Sequence, residues 1–332
     1  MNLEFSIIIP VYNRPHEVDE LLKSLLLQTY SKSYEVIIVE DGSDQTAEAI
    51  TKKYQEQLQL HYFYKDNSGP GLSRNFGMQK AKGNYFIILD SDCILPKHYL
   101  EEVSIAITKN FTHAFGGPDA SHASFTIIQK AINYAMTSVL TTGGIRGKKN
   151  VINKFQPRSF NMGLSKVAFD KTKGFGNQNF GEDIDLTFRL WGNGFDTQLI
   201  EKAFVYHKRR IDWLSFLKQT FNFGAARPVL NEQHPNTAKI TYWFPSIFIL
   251  GIITTILFLL IGNTILLKLF GLYLLLIFCD ALIKNMKIMV AVFSIYATLL
   301  MFLGYGSGFL RSTIRLHIFQ KSMKDTFPEM FR

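Results

Sequence analysis

The chain has few cysteines and lacks several short motifs that mark common functions. Its 332 residues include two cysteines, Cys93 and Cys279, which are far apart and fit no metal-binding spacing. This scarcity argues against a disulfide framework and favours a reducing compartment. Neither the GxxxxGK[ST] phosphate loop nor the GxGxxG dinucleotide motif occurs. If a nucleotide binds, we therefore expect its phosphates to need a metal ion.

Acidic residues are also in deficit, with 27 against 36 basic ones and a net charge of +9. This balance permits nucleic acid, anionic lipid or phosphorylated substrates as partners. No nucleic-acid recognition motif is present, so we expect no nucleic-acid partner. The first fifteen residues hold an apolar run but no basic leader and no small-residue cleavage site. We interpret this run as a strand rather than a signal peptide.

Charge is almost absent from three long blocks near the carboxyl end of the sequence. Each block is about as long as a helix that crosses the hydrocarbon core of a bilayer. Three successive buried core helices are the alternative, but they are hard to fit into one small domain. We therefore predict transmembrane segments at 245–262, 264–283 and 288–310, of which only the second carries charges, Lys268 and Asp280.

The change in composition predicts four regions: a soluble domain at 1–210, an amphipathic interfacial segment at 211–242, a transmembrane region at 243–310 and a basic tail at 311–332. Basic residues on the soluble side place that domain in the cytoplasm, at the inner membrane of a multi-pass protein. Three full spans would put the basic tail outside, against the positive-inside rule. Alternatively, the third block bends at Gly304, Gly306 and Gly308, and the side of the tail stays open.

The soluble region alternates strand-like apolar runs with helical periodicity, which is typical of an α/β fold with a parallel sheet. Ligands of such sheets bind at the carboxyl ends of the strands. The predicted strands are 5–12, 34–43, 60–66 and 84–92, and the predicted helices are 14–29, 44–58 (with Asp44 as its cap) and 69–82.

Polar residues follow three of these strands and converge on one predicted sheet edge. Asp90 and Asp92 alternate around one serine, a spacing at which two carboxylates can bind one hard divalent cation. A plain turn explains any one such strand end, because Asp and Ser are ordinary turn residues. Three strands that deliver polar groups to one edge favour a binding site.

Four segments carry a specific resemblance: SIIIPVYNRP, VIIVEDGSDQT, GLSRNFGMQKAKGNYFIILDSD and GEDIDLTFRLWGNGF. In this order they resemble family 2 glycosyltransferases of the GT-A fold, over about residues 5–207. The resemblance implies an inverting transferase of the hexosyltransferase type. Such an enzyme takes a sugar from a UDP- or GDP-linked donor with Mn²⁺ or Mg²⁺.

The resemblance also implies roles for donor-side residues. Asp92 matches the direct metal ligand, and Asp90 a contact to ribose or to a metal-bound water. His207 matches a metal ligand of some members, although a lone histidine beside cations is also an ordinary surface residue. Contacts to the nucleotide sugar are implied for Pro10, Tyr12, Arg14, Glu40, Asp41, Arg74, Asp90 and Ser91.

On the acceptor side, Asp183 matches the catalytic base, and Glu182, the second catalytic residue, would orient the site or the acceptor. The alternative for this acidic pair is a helix start, where acids are favourable. Asn161, Met162 and Gly163 match the acceptor-proximal strand of the family.

The Q-x-x-R-W motif of processive synthases is missing, since the matching region reads KQTFNFGAARP. This departure favours a single-sugar transferase acting at the lipid bilayer on a lipid-linked or membrane-proximal glycan. A polyprenyl-phosphate sugar synthase and a catalytically inactive nucleotide-sugar-binding regulator are the alternatives. The run Lys208, Arg209 and Arg210 would face lipid headgroups or product phosphates.

Overall fold

The computed structural model describes residues 3–143, 155–208 and 212–331. Within them the chain forms two compact units. The first unit holds residues 3–120 and 155–208, and the second holds residues 121–143 and 212–331. The domain bounds expected from the sequence stay predictions, and Arg209 and Arg210 lie outside the described residues.

The first unit is built on a seven-stranded sheet in which all strands except β8 run in the same direction. This confirms the mostly parallel α/β sheet expected from the sequence. The strand order is β3-β2-β1-β4-β8-β6-β9, and β5, β10 and β7 form a small second sheet. The strands are β1 (Phe5–Val11), β2 (Tyr34–Asp41), β3 (Gln59–Lys65), β4 (Tyr85–Leu89), β5 (Cys93–Ile94), β6 (Ala114–Gly116), β7 (Asp119–Ala120), β8 (Asn161–Ser165), β9 (Thr197–Leu199) and β10 (Val205–His207).

Helices of this unit cover the apolar strands. In the first helix, Val18, Leu21, Leu22 and Leu25 recur at helical spacing and are fully buried. Burial of each such side chain is worth about 1.5–3 kcal/mol. The helices are α1 (Pro15–Leu26), α2 (Glu48–Lys52), α3 (Pro70–Lys80), α4 (Tyr99–Lys109), α7 (Lys166–Thr172) and α8 (Glu182–Gly192).

The prediction for the second helix was wrong in length and in its cap. Helix α2 begins at Glu48, and Ala47 is its N-cap. The backbone N–H of Asp44 instead donates to the side-chain oxygen of Asn13, at 2.8 Å. A contact between two strand-end loops, which local sequence does not encode, therefore holds this segment out of the helix.

The reversed strand β8 brings a second chain segment to the carboxyl end of β4. Their antiparallel register pairs Asn161 with Leu89, the last residue of β4. Residues 158–160 therefore run beside the acids that follow β4. The backbone N–H of Asp90 donates to the carbonyl of Phe160 at 3.3 Å and fixes this approach.

The second unit is helical. Its α5 opens with a reciprocal capping box, in which Thr126 and Gln129 satisfy each other's backbone N–H groups. Ala131, Ile132 and Ala135 of this helix are buried in a cluster with apolar residues of the last long helix. The helices are α5 (Ile127–Thr137), α6 (Val139–Thr142), α9 (Trp213–Gln233), α10 (Phe244–Leu260), α11 (Ile265–Asn285), α12 (Ile288–Thr313) and α13 (Met323–Thr326), with short turns at Ile240–Trp243, Ile314–Ile318 and Pro328–Met330.

Three helical segments of this unit are long and apolar enough to cross a membrane: Ile240–Leu260, Ile265–Asn285 and Ile288–Ile318. The predicted segments thus form helices, and their lengths and composition suggest membrane association. In the first two, more than four-fifths of the most apolar stretch is not buried inside the protein. An apolar surface of that size is typical of a lipid-facing or partner-facing helix.

Helices α9 and α12 pack with almost no space between their backbones. A Cβ on Gly304 would lie 2.8 Å from the Leu217 carbonyl, and one on Gly308 would lie 2.2 Å from the Phe221 carbonyl. Helix α12 runs unbroken through these glycines, so their observed role is close packing. Residues 224–230 of α9 are all buried, and the interfacial location of this helix stays a prediction.

Candidate active site

The loops after β1 and β2 are tied to each other. Asn13 has a positive φ of 54°, and its N–H donates to the Ser43 hydroxyl at 2.8 Å. Its side-chain oxygen accepts from the backbone N–H groups of Asp44 and Gln45. Two of the predicted strand ends therefore form one rigid rim, with Tyr12 half-exposed above it.

Asp41 organises the loop that follows β3. Its carboxylate accepts from Lys65 Nζ at 2.5 Å and from the backbone N–H groups of Ser68 and Gly69 at 2.8 and 2.7 Å. Burial alone would raise the pKa of Asp41, but these donors outweigh it and lower the pKa. Glu40 is fully buried, and its oxygens accept from three groups of its own unit: Ser43, Ala47 and Tyr62.

Arg74 connects two acidic segments that are far apart in sequence. Its Nη2 donates to Asp90 Oδ1 at 2.7 Å, and its Nη1 donates to Glu182 Oε1 at 2.9 Å. Its guanidinium lies 5.2 Å from the Phe175 ring centroid, and its side chain is only 4% exposed. This buried guanidinium therefore fixes the strand-end acid against the start of α8.

Asp92 contacts two basic side chains, Arg14 and His207. Arg14 Nη1 donates to Asp92 Oδ2 at 2.5 Å, and His207 Nε2 lies 3.2 Å from Asp92 Oδ1. Burial would raise the pKa of Asp92, but its contacts with His207 and Arg14 hold that pKa well below its usual range.

The geometry around Asp92 suits a metal ion. Oδ1 of Asp92 is buried and is not aligned for a hydrogen bond with any described group. Ligand atoms of Asp92, His207 and Cys93 lie within 4.8 Å of one another. A carboxylate suits both Mn²⁺ and Mg²⁺, an imidazole suits a transition metal such as Mn²⁺ better than Mg²⁺, and a thiol suits softer metals. The first two therefore fit the expected ion.

The acidic pair Glu182 and Asp183 begins α8. Gly181 precedes the pair as N-cap with a φ of 75°, a conformation that favours glycine. Burial, followed by the neighbouring charge of Asp183, raises the pKa of Glu182 to about 7, although Arg74 opposes the shift. Asp183 is less buried and lies at the positive end of the helix, where a carboxylate is stabilised.

Three residues to which the sequence reasoning gave no defined role complete this site. Arg158 Nη1 lies 3.7 Å from Asp183 Oδ2, and the Ser159 hydroxyl lies 3.3 Å from Glu182 Oε1. The Phe160 ring stacks on His207, with 4.6 Å between centroids and 17° between planes. Their position directly before the predicted acceptor-proximal strand was the only available signal.

The predicted acceptor-proximal residues are buried in the sheet. Asn161 accepts from the Tyr99 hydroxyl at 2.6 Å and donates to the Ala203 carbonyl at 2.8 Å. Met162 is fully buried, and a Cβ on Gly163 would lie 2.0 Å from the Phe115 ring. The site thus joins the ends of β1 and β4 with the start of α8, and these three residues support it from within the sheet. Pro10 lies in β1, and Ser91 is buried between the two acids.

Comparison with known proteins identifies one family of glycosyltransferases. The model of the family described as Glycosyl transferase family 2 matches residues 6–172. An uncharacterized glycosyltransferase of Rickettsia conorii is 40% identical over 98 residues, which are 30% of this chain and 16% of that protein. Chondroitin synthase of Escherichia coli is 28% identical over 236 residues, which are 61% of this chain and 34% of that protein. The matches thus cover well under half the length of both relatives.

Solved structures share the fold across almost the whole chain. Staphylococcus aureus TarS 1-349 in complex with UDP-GlcNAc has a TM-score of 0.52 at 18% identity and covers 94% of this chain and 92% of its own. A mannosyltransferase from Pyrobaculum calidifontis in complex with GDP-Man and Mn²⁺ has a TM-score of 0.60 at 13% identity, with 97% and 89% covered. At these identities the likeness shows the fold, and it confirms the GT-A arrangement.

Proposed function

The chain belongs to glycosyl transferase family 2, and from this membership we propose that it transfers one sugar from a nucleoside diphosphate sugar to a hydroxyl or phosphate of a membrane-associated acceptor. The observation that carries the proposal is the link between the acids after β4 and the start of α8: Arg14 pairs with Asp92, and Arg74 bridges Asp90 to Glu182. Asp183 follows Glu182 directly and lies beside Arg158. TarS binds UDP-GlcNAc and the mannosyltransferase binds GDP-Man, so UDP- and GDP-linked hexoses are the first donors to test.

Asp92 and His207 would hold a divalent cation, with Asp90 beside them. Bound there, Mn²⁺ or Mg²⁺ would neutralise charge that develops on the diphosphate of the leaving group. Arg14 already pairs with Asp92, so it keeps this carboxylate ionised and ready to bind a cation. Tyr12 is 52% exposed at the same rim and is available to contact the nucleotide.

Asp183 would act as the general base. Its carboxylate takes the proton of the acceptor hydroxyl while that oxygen attacks the anomeric carbon and the nucleoside diphosphate leaves, which inverts the configuration. This carboxylate lies at the start of α8, and its Oδ2 is 3.7 Å from Arg158 Nη1. Glu182, held by Arg74 and Ser159, would position this segment.

The apolar helices α10 and α11 support a membrane-associated acceptor. Their exposed aliphatic surfaces are matched by a bilayer. We therefore place the protein in the cytoplasmic membrane as a multi-pass protein, with the catalytic unit on the side where sugar nucleotides are made. A lipid-linked or membrane-proximal glycan is the acceptor class that suits this location, and a polyprenyl phosphate is the alternative acceptor.

The test is release of nucleoside diphosphate from a panel of UDP-, GDP- and dTDP-sugars by the full chain in detergent. Reactions contain Mn²⁺, Mg²⁺ or EDTA, with membrane lipid extract or polyprenyl phosphate as acceptor. We expect metal-dependent release from one donor. It should fall about 10²–10⁴-fold in Asp183→Asn and be lost in Asp92→Asn.

Asp170→Asn is the matched control, because this exposed acid at the end of α7 lies outside the acidic cluster. It should keep full activity. Release that needs polyprenyl phosphate alone would assign the synthase reaction. No release from any donor, together with metal-dependent binding of a nucleotide sugar, would refute the transferase and leave a binding protein.

A further inference from the structure

Helix α9 buries a cation, Arg227, for which the described residues supply no carboxylate partner. Arg227 is 7% exposed, and its Nε and Nη1 are buried without a hydrogen-bond acceptor. No described residue forms an ion pair with it. A guanidinium carries five N–H donors and keeps its charge at any physiological pH. A buried charge without compensation is strongly unfavourable, so an anionic ligand is the expected partner.

The acids of the same unit do not supply this partner. Its described part contains five: Asp212, Glu232, Asp280, Asp325 and Glu329. Asp212 caps the start of α9, about four helical turns before Arg227. Glu232 is exposed and stands five residues after Arg227, on another face of the helix.

The surroundings of Arg227 resemble a receptor for a phosphate group. Its guanidinium carbon lies 4.3 Å from the ring centroid of Tyr242, which is itself buried. One helical turn further on, Asn231 has a buried side-chain oxygen without a partner. A rotation of this side-chain amide by about 180° would exchange its oxygen and nitrogen and so place its N–H donors at the same position. A guanidinium and an amide together match the oxygens of a phosphate.

The position along the chain points to a lipid as the source of this phosphate. Tyr242 lies at the start of the first candidate span, Ile240–Leu260. Tyrosine and tryptophan at the ends of spans lie at the level of the lipid headgroups, and Trp243 follows directly. Gly308 of α12 packs against the Ala225 backbone, so the next cation of that helix, Arg311, belongs to the same end of the helix pair. Basic pockets between such helices bind anionic headgroups.

We propose that Arg227, Tyr242 and Asn231 form a binding site for the phosphate of a lipid headgroup. The site goes beyond sugar transfer, and it rests only on the proposed membrane location. Its ligand is a lipid that carries a phosphomonoester or diphosphate, a class that includes phosphatidic acid and lipid-linked glycans.

The experiment compares two lipids that differ only in the phosphate. The full chain in detergent is titrated with dioleoyl phosphatidic acid or dioleoylglycerol, and bound lipid is counted by native mass spectrometry. We expect phosphatidic acid to bind and dioleoylglycerol to bind at least tenfold more weakly. Arg227→Gln should weaken binding of phosphatidic acid at least tenfold. Lys218→Gln, which removes one exposed charge from the same helix, should leave it unchanged.

A second measurement covers the case in which Arg227→Gln does not fold. Phosphatidic acid, but not dioleoylglycerol, should raise the melting temperature of the unaltered chain. Equal binding or equal stabilisation by the two lipids would overturn the proposal. So would equal binding by Arg227→Gln and Lys218→Gln. If inorganic phosphate displaces the lipid and stabilises the chain by itself, the ligand is free phosphate and the lipid assignment is wrong.

Discussion

The Arg74 bridge can be tested by removing its charge. In Arg74→Gln, Glu182 loses a donor at 2.9 Å, and Asp90 loses one at 2.7 Å. Removal of one partner from a buried ion pair costs about 3–5 kcal/mol when the other charge stays buried. The expected cost therefore depends on whether each carboxylate can lose its charge or reach water.

Each of the two carboxylates can avoid the full cost in one of these ways. The pKa of Glu182 is raised to about 7, so near pH 7 this group takes up a proton at little cost. The side chain of Asp90 is 31% exposed and can be solvated. What remains is a buried carboxyl group that has lost its donor, worth about 1–3 kcal/mol. We expect a loss of about 2 kcal/mol at pH 7, which grows by up to about 1.4 kcal/mol for each pH unit above it.

Thermal unfolding of the full chain in detergent measures this loss. For a unit of this size, 2 kcal/mol corresponds to a decrease of about 4–8 °C in melting temperature. Lys202→Gln is the control, since it removes a cation from an exposed pair with Glu102 and should change stability by less than about 0.5 kcal/mol. The double variant Arg74→Gln/Glu182→Gln should recover part of the loss, because no buried acid then lacks its cation.

Two outcomes would refute this reasoning. The first is a melting temperature of Arg74→Gln within 1 °C of the control at pH 7. The second is full stability and activity in Arg74→Lys, because a single ammonium group lacks the fork that reaches both carboxylates. A loss that does not depend on pH would show that Glu182 does not escape by protonation.

Three further predictions concern single side chains. The folded-state pKa of Glu182 lies above its ordinary value of 4.5. The stability that its extra proton contributes is therefore present below about pH 4.5 and is lost as pH rises through about 7. In melting curves from pH 5 to 8, Glu182→Gln should gain stability relative to the unaltered chain as pH rises. Gly163→Ala should destabilise by about 2 kcal/mol or more, because its Cβ would fall 2.0 Å from an aromatic ring, whereas Gly192→Ala, which meets nothing within 4 Å, should be neutral in the same melting assay. Lys65→Met should cost about 2 kcal/mol at neutral pH; because the pKa of Asp41 is lowered in the folded state, this cost should shrink as pH falls through the acid range, and a cost that is constant with pH would contradict the ion pair.

Local patterns predicted much of the sheet and its acidic edge. The apolar runs of β1, β2 and β4 and the acids after them are encoded within a few residues each. Arg158, Ser159 and Phe160 received no defined role from the sequence, because they reach the site through the antiparallel register of β8 on β4. That pairing joins segments more than seventy residues apart, and no short sequence window contains it.

The details of the loops were also set by distant contacts. Asp44 looked like a helix cap, but Asn13 binds its N–H and those of its neighbour. Asp41 and Glu40 were expected at the nucleotide, and their predicted contacts stay predictions. In the structure, groups of their own unit bind both side chains, because a buried carboxylate needs donors.

The placement of α5 has a consequence for how the chain is made. Ala131 and Ile132 pack in one cluster with Ala297, 166 residues further along the sequence. At about 5–20 residues per second, the ribosome needs roughly ten to thirty seconds to supply that partner. During this interval the apolar face of α5 is exposed, as it would be permanently in a fragment that ends at residue 208. We therefore expect a chaperone or the insertion machinery to bind this face early. The fragment that ends at residue 208 should aggregate under conditions in which the full chain does not.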